Sequence, residues 1–502
     1  MQSCLEFGFV PAPGGAPLPG EQVNRVKTRN HGRLLPVWLV AIAVLGLAVA
    51  WFARPARRPN VLLLTVDTLR ADRLGCYGSR TTSTPAVDRL AESGVLFEND
   101  AAPMPMTRPS LFSIFTSRYP REHGAVNNSV PLPDRSPVLA ERFQEAGYAT
   151  GAFVGVQILS PESGAARGFD VFKYPAHARD VPADQVVPGA IEWMSTVAAK
   201  RPFFAWVHLF DPHIPYRRHA RPGEPAQAAS GSPPLAKISW SFLQSVAEQN
   251  SGDVPQETLD TAIRFYGGEV EYADRWIEAL VGFLASHSML DDTVVAFTAD
   301  HGECFDHNVF FEHTDCPYEG AIHVPLILRY PRKLPGGVRV TRPVEHLDLA
   351  PTLLALAGIG PPATFEGESL LDSIGNRGGR VRSSFFQLPL YQERAIRGRG
   401  TRYGKILSVA GKPVRPVVFE RQLVGVRDGS WKYILDDGGE ELYALGTDPL
   451  ETHNLASRET EVAARLKAEI EQRLAAHPLD LPNPSMVNQR LRATLRALGY
   501  TD

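Results

Sequence analysis

Carboxylates, imidazoles and one hydroxyl recur in this sequence at positions where they could hold a divalent cation and use it. Asp67 directly follows the apolar run NVLLLTV (60–66), and Asp300 and His301 follow TVVAFT (293–298). Thr107 stands just before Pro109 and the apolar-periodic stretch SLFSIFTSR, where a hydroxyl meets the start of a helix. Capping is the ordinary task of such a threonine. The free N–H groups and positive dipole end of that helix would also cradle an anionic group bonded to the hydroxyl. A threonine hydroxyl is a poor nucleophile at neutral pH and needs a base or a cation to favour its alkoxide. Asp67, Thr107, Asp300 and His301 together form a four-ligand set for one ion, and two carboxylates with an imidazole suit Mn²⁺ or Zn²⁺. Singly each is weak evidence, because acids after strands often cap the next helix; the combination carries the argument.

Two further groups fall near the same chemistry. Asp211 and His213 follow FFAWVHLF (203–210), and His313 lies in FFEHTDCPYEG. A histidine there can bind an ester oxyanion when charged or give a proton to a leaving alcohol. Asp211, His213 and His313 are also a candidate second ion site, with a single ion per chain as the preferred count. His208 alternates onto the core side of its run and reads as a satisfied buried polar group, while the role of His307 stays open.

These residues need elements to position them. Short apolar runs alternate with helical periods after Arg58, which predicts βαβ units and a large, mainly parallel sheet covered on both faces. Ligands of open α/β sheets bind outside the carboxyl ends of the strands, so segments remote in sequence converge there. Thr84-Pro85 predicts a capped helix carrying Val87, Leu90, Ala91 and Val95 on one face. Residues 217–256 are rich in Pro, Gly and Ser and predict a long loop with one helix near Trp240. The catalytic-type pattern spans 58–375, and 376–476 reads as a smaller appended unit. There Asp428-Gly429 signals a hairpin, and Val462, Leu466, Ile470 and Leu474 form one stripe of an amphipathic helix. The arginines from Arg377 to Arg402 read as a solvated basic loop, and 477–502 as a tail.

The N-terminus differs. Residues 1–33 are rich in Pro and Gly and predict a disordered tail. The uncharged run Leu34 to Ala53 at ~1.5 Å per residue matches a hydrocarbon core of about 30 Å, which predicts one bilayer-spanning helix. Basic residues flank both of its ends. The expected arrangement has a cytoplasmic N-terminus and the remaining chain outside, periplasmic or extracellular. The 52 Lys and Arg nearly balance the 55 Asp and Glu, so no long-range field draws nucleic acid. Four cysteines are too few for a disulfide scaffold; Cys304 and Cys316 could pair outside the cytosol. Nothing in the sequence indicates an oligomeric state.

The ordered segments RPNVLLLTVDTLRADRLGCYG, TPAVDRLAESGVLFEN, TRPSLFSIFTSRYPREHG, GYATGAFVG, DPHIPY, TADHGE, YEGAIHVPLILRYP, HLDLAPTLLALAG and DPLETHNLA resemble sulfatases of the alkaline phosphatase superfamily. The resemblance covers roughly Arg58 to Leu474. It implies an alkaline-phosphatase-like three-layer sandwich with a small C-terminal α+β subdomain. It also places Asp67, Asp300 and His301 at metal-ligand positions, Thr107 at the nucleophile position, and His213 and His313 at positions that bind the ester group or assist the leaving group. The family's chemistry further admits Ca²⁺ or Mg²⁺.

Departures from the family pattern bear on mechanism. Sulfatases carry CxPxR or SxPxR, whose first residue becomes formylglycine; this chain reads Thr107-Arg108-Pro109-Ser110-Leu111, so formylglycine cannot form. Thr68 replaces the second adjacent metal aspartate, and the GKWHLG segment appears as GAFVGVQIL. A threonine ester must be cleaved again at its central atom, which suits phosphoryl groups. The resulting expectation is a membrane-anchored hydrolase of sulfate or phosphate esters. Its alternative is a phosphotransferase of phosphoethanolamine or phosphoglycerol type acting on envelope lipid or glycan, and third comes a non-catalytic binding protein.

Overall fold

The computed structural model describes residues 58–219, 236–374, 382–388, 403–414, 423–436 and 439–477. The apolar run 34–53, the N-terminal tail and most of the arginine-rich stretch lie outside the described residues. Among the described residues no helix is long and apolar enough to cross a membrane.

Strand β1 (Asn60–Val66) lies at the centre because its side chains are apolar on both faces, the pattern of a strand covered on each side. Leu62, Leu64 and Val66 face one apolar cluster and Val61 and Leu63 the other, so the sheet separates two helical layers. The other strands are β2 (Val95–Ala101), β3 (Ala149–Val154), β4 (Val171–Lys173), β5 (Phe203–Leu209), β6 (Thr293–Ala299), β7 (His323–Arg329) and β8 (Val338–Val340). Their spatial order is β8-β2-β7-β6-β1-β5-β3-β4, and the two-residue strand Val344–Glu345 also pairs with β2. The sheet is mixed: β7 runs antiparallel to both β2 and β6, while β1 is parallel to β5 and β6.

Register does the decisive work. Val66 pairs with Leu209 on one side and with Ala299 on the other. The residues that follow, Asp67, Phe210 and Asp300, therefore leave the sheet side by side at its carboxyl edge.

Helix α1 (Pro85–Glu92) begins at the expected proline, yet Thr84 does not cap it. The Thr84 hydroxyl instead accepts from Gly75 N, and Asp274 takes the free Ala86 and Val87 N–H groups. Asp274 belongs to the long helix α4 (Gln256–Ser286), so this helix start is satisfied by tertiary packing rather than locally. Helix α2 (Thr107–Thr116) is buried at every position, and helix α3 (Ala183–Val197) covers the opposite layer. The expected helix near Trp240 spans Trp240–Gln249.

Beyond the main sheet, Ser384–Gln387, Leu423–Arg427, Trp431–Asp436 and Gly439–Ala444 form a four-stranded antiparallel sheet. The predicted Asp428-Gly429 turn is present: Asp428 Oδ1 accepts from Ser430 N and Trp431 N, and Gly429 takes φ +87°. The helix Thr460–Ala476 buries Ala463, Leu466 and Ile470 in one cluster with Tyr433 and Leu442 of this sheet. Of the basic stretch, Arg382 is described and pairs with the buried Asp348, so at that position the expected solvated charge is instead anchored.

Candidate active site at the carboxyl edge of the sheet

Asp67, His208 and Asp300 bring one ligand atom each within 4.8 Å of one another, and all three are buried. Asp67 Oδ2 lies 3.4 Å from His208 Nε2 and accepts from the Thr107 hydroxyl at 3.5 Å. Asp300 uses Oδ1 to accept from Thr68 N and His301 N, at 3.1 and 2.8 Å. Its Oδ2 points away from those donors, 3.5 Å from His301 Nε2. Thr68 adopts φ +54°, a conformation a β-branched residue rarely takes. Tyr266 holds it there, its hydroxyl donating to the Thr68 carbonyl at 2.7 Å.

The expected quartet of Asp67, Thr107, Asp300 and His301 is thus brought to one place, with one correction. His208 is not a satisfied core histidine. Its Nδ1 contacts Thr65 Oγ1 at 2.9 Å, but its Nε2 has no hydrogen-bond partner and faces the two carboxylates. The reason is register: His208 pairs with Thr65, one residue before the edge that Asp67 occupies. His301 donates Nδ1–H to the Gly302 carbonyl at 2.9 Å, which leaves the Nε2 lone pair bare in the neutral ring.

Asp67 Oδ1, Asp300 Oδ2, His208 Nε2 and His301 Nε2 are all buried without a hydrogen-bond partner. Buried polar atoms are normally paired, so these four unpartnered atoms, three of them on residues that gather as one ligand group, make a candidate cation site. The protonation energetics agree. Burial, then the charge of Asp67, pushes Asp300 up to about 6; burial, then Glu303, pushes Asp67 well above the carboxylate range. Burial holds His208 and His301 down at about 4. The donor set of two carboxylates and two neutral imidazoles fits a divalent cation.

Thr107 is the first residue of α2, after Met106 in extended backbone. Arg108 fixes that helix start: its fully buried guanidinium donates to the Ile158 and Asn128 carbonyls, and its N–H donates to Asn128 Oδ1 at 3.0 Å. Burial lowers this guanidinium to about 9. Ser110, one turn on, donates to the Asp300 carbonyl at 2.6 Å and therefore accepts from His346 Nδ1–H at 3.0 Å. His346 Nε2 lies 3.5 Å from Asp100 Oδ2. Burial, then the nearby Asp348, pushes Asp100 well above the carboxylate range. This buried chain ties the helix carrying Thr107 to the strand carrying Asp300.

His213 and His313 also converge. Their ring centroids are 5.4 Å apart, and His313 lies 4.4 Å from the His301 ring. His213 stacks on Phe210 and donates Nδ1–H to the Ile214 carbonyl at 2.7 Å. Burial, then His313, holds it well below the ordinary histidine range. His313 Nδ1 meets Glu303 Oε1 at 3.3 Å, and Tyr216 donates to Glu303 Oε2 at 3.2 Å. A disulfide between Cys304 and Cys316 closes the loop that carries His313. The considered second ion site does not assemble: Asp211 Oδ1 accepts from Ala183 N at the start of α3, and among the described residues Asp211, His213 and His313 form no ligand group. His307, left open above, stacks on Tyr318 and pairs with Asp306 at 2.7 Å, a structural role.

Sequence reasoning missed His208, Glu303, and Ser110 with His346. Glu303 lay within TADHGE and adjoins the ligand pair, so its spacing was a usable signal.

A mixed sheet between two helical layers, with a buried acid–imidazole group at its carboxyl edge, defines the alkaline-phosphatase-like α/β class. Residues 59–359 match the family model described as Sulfatase, and the chain belongs to the sulfatase family. It is similar to the N-acetylglucosamine-6-O-sulfatase of Bacteroides thetaiotaomicron, 24% identical over 73% of this chain and 79% of that protein. It also resembles the choline-sulfatase of Rhizobium meliloti, 26% identical over 80% of this chain and 82% of the other. The solved phosphonate monoester hydrolase of Agrobacterium radiobacter shares the fold with a TM-score of 0.64, at 22% identity over 84% of this chain and 96% of its own.

Proposed function

We propose that the protein is a metal-dependent hydrolase of sulfate or phosphate esters in which Thr107 is the nucleophile. The observation that carries this reading is the Thr107 hydroxyl 3.5 Å from Asp67 Oδ2, at the positive end of a helix and beside four unpartnered ligand atoms. The names of the two sulfatase relatives support a sulfate-ester substrate, and the phosphonate monoester hydrolase shows what else this fold accommodates. Asp67, His208, Asp300 and His301 would hold the ion; Mn²⁺ or Zn²⁺ suits these donors, and Ca²⁺ or Mg²⁺ is the choice to test against them. When bound it would draw charge from the ester oxygens and favour the threonine alkoxide.

The chain's own residues would do the rest. Thr107 Oγ, passing its proton to Asp67 Oδ2, attacks the sulfur or phosphorus, and the bond to the alcohol oxygen breaks. His313, its ring backed by Glu303, gives the leaving oxygen its proton, while His213, whose Nδ1–H is held by the Ile214 carbonyl, lines the ester site. The threonine ester is then cleaved by water at the same central atom, which returns the hydroxyl. An alcohol in place of water would make the same site a phosphotransferase, and a threonine nucleophile favours that second reading for phosphoryl substrates. The Cys304–Cys316 disulfide supports an oxidising location for this part of the chain, outside a membrane in which residues 34–53 anchor it.

The test presents the full-length protein with matched aryl sulfate, phosphate monoester and phosphodiester substrates across several divalent metals. One of them is turned over, and Thr107→Ala abolishes that turnover while thermal unfolding and metal binding persist. Full activity in Thr107→Ala removes Thr107 from the mechanism.

A further inference from the structure

Beside this site lies Arg179, and among the described residues its guanidinium Nε has no hydrogen-bond partner. Arg179 lies in the stretch that docks beyond β3: Gln157 N donates to the Arg179 carbonyl and Val181 N to the Gly155 carbonyl, both at 2.9 Å. Gln157 Nε2 holds the same stretch through the Ala176 carbonyl at 3.0 Å. Gly155 N in turn donates to the His208 carbonyl at 2.9 Å, so the stretch is fastened directly to the strand end that carries His208. Its far end is fixed where Ala183 N donates to Asp211. The backbone of Arg179 is thereby held against the carboxyl edge of the sheet.

The side chain is partly buried, and its Nε is enclosed without a hydrogen-bond partner. The neighbouring acid does not neutralise it, because Asp180 is engaged by Arg217 at 2.7 Å. Arg179 is close enough for its charge to act on both Asp67 and His213, groups on two different strand ends of the site. Charge balance makes this position consequential. Asp67, Asp300 and Glu303 already put three buried carboxylates around this site. An ester whose sulfuryl or phosphoryl group is itself anionic then needs another cation, and a guanidinium presents planar paired donors to tetrahedral oxyanions.

We propose that Arg179 is a substrate-binding residue whose guanidinium receives the anionic oxygens of the sulfuryl or phosphoryl group beside Thr107. This rests on the ester-hydrolase reading above and extends it to the part of the substrate that is recognised.

Binding of inorganic sulfate and inorganic phosphate to the metal-loaded full-length protein, measured by calorimetry, tests it without needing turnover. Arg179→Gln should weaken both anions at least tenfold, Arg179→Lys should restore part of that loss, and metal affinity and unfolding temperature should stay as in the wild type. With an active ester the same variant should lose kcat/KM chiefly through KM, and added guanidinium ion should recover part of it in Arg179→Gly. Unchanged anion affinity in Arg179→Gln overturns the proposal, as does a loss that appears in metal affinity or unfolding instead. Wild-type protein that binds the anions through Arg179 but hydrolyses no ester sinks the hydrolase reading alone.

Discussion

Asp300→Asn should change the sign of its effect on stability when metal is added. In the metal-free protein burial, then the charge of Asp67, pushes the Asp300 carboxyl up from 3.8 to about 6. Because the folded value lies above the unfolded one, folding opposes ionisation of this acid. The resulting penalty is complete above about pH 6 and disappears as pH falls toward 4. The difference between 3.8 and about 6 corresponds to about 3 kcal/mol. Asparagine keeps the Oδ1 that accepts from Thr68 N and His301 N, and removes the charge. Metal-free Asp300→Asn should therefore be more stable than metal-free wild type at pH 8, by up to about 3 kcal/mol, and nearly equal to it at pH 4. Metal at a hundredfold excess over its Kd should stabilise wild type by about 2.7 kcal/mol and the variant by much less. Denaturant unfolding of the full-length protein in chelator and in Mn²⁺ or Zn²⁺, at pH 4 and pH 8, reads all of these differences. A metal-free variant less stable than wild type at pH 8 would refute the claim that Asp300 is a charge held in place for an absent ion.

Two further outcomes follow from the neighbouring groups. Replacing Cys304 and Cys316 together with serine should cost about 3 kcal/mol in unfolding free energy, the value expected for a loop of this size, and should lower kcat because His313 lies inside that loop; a variant with wild-type kcat would show that the clip does not position His313. Glu303→Gln keeps a partner for His313 but removes its charge, so kcat should fall roughly tenfold, most strongly at alkaline pH, with metal affinity little changed. A pH-independent loss in the pH–rate profile would instead assign Glu303 to structure.

The candidate site was legible wherever its position depended on strand ends. Asp67 and Asp300 each follow an apolar run, and parallel strands in register deliver such residues to one edge whatever the intervening chain does. Thr107 was legible for a related reason, since a hydroxyl and proline ahead of an apolar period mark a helix start. The hairpin at Asp428-Gly429 and the C-terminal helix were equally local, fixed by turn chemistry and periodicity.

The composition and order of the segments thus determined the layered fold and the placing of Asp67, Asp300 and Thr107 at strand ends and a helix start, because each of those signals is carried by residues adjacent in the chain. Tertiary structure alone decided that Asp274 rather than Thr84 caps α1, that Asp211 Oδ1 meets the start of α3, and that His208 joins the carboxylates. It also brought Glu303 to His313 and fastened the stretch carrying Arg179 to the strand end that carries His208. The physical reason is common to all of these. Whether a polar side chain is satisfied or left poised depends on partners tens or hundreds of residues away, and only the packed chain sets those distances.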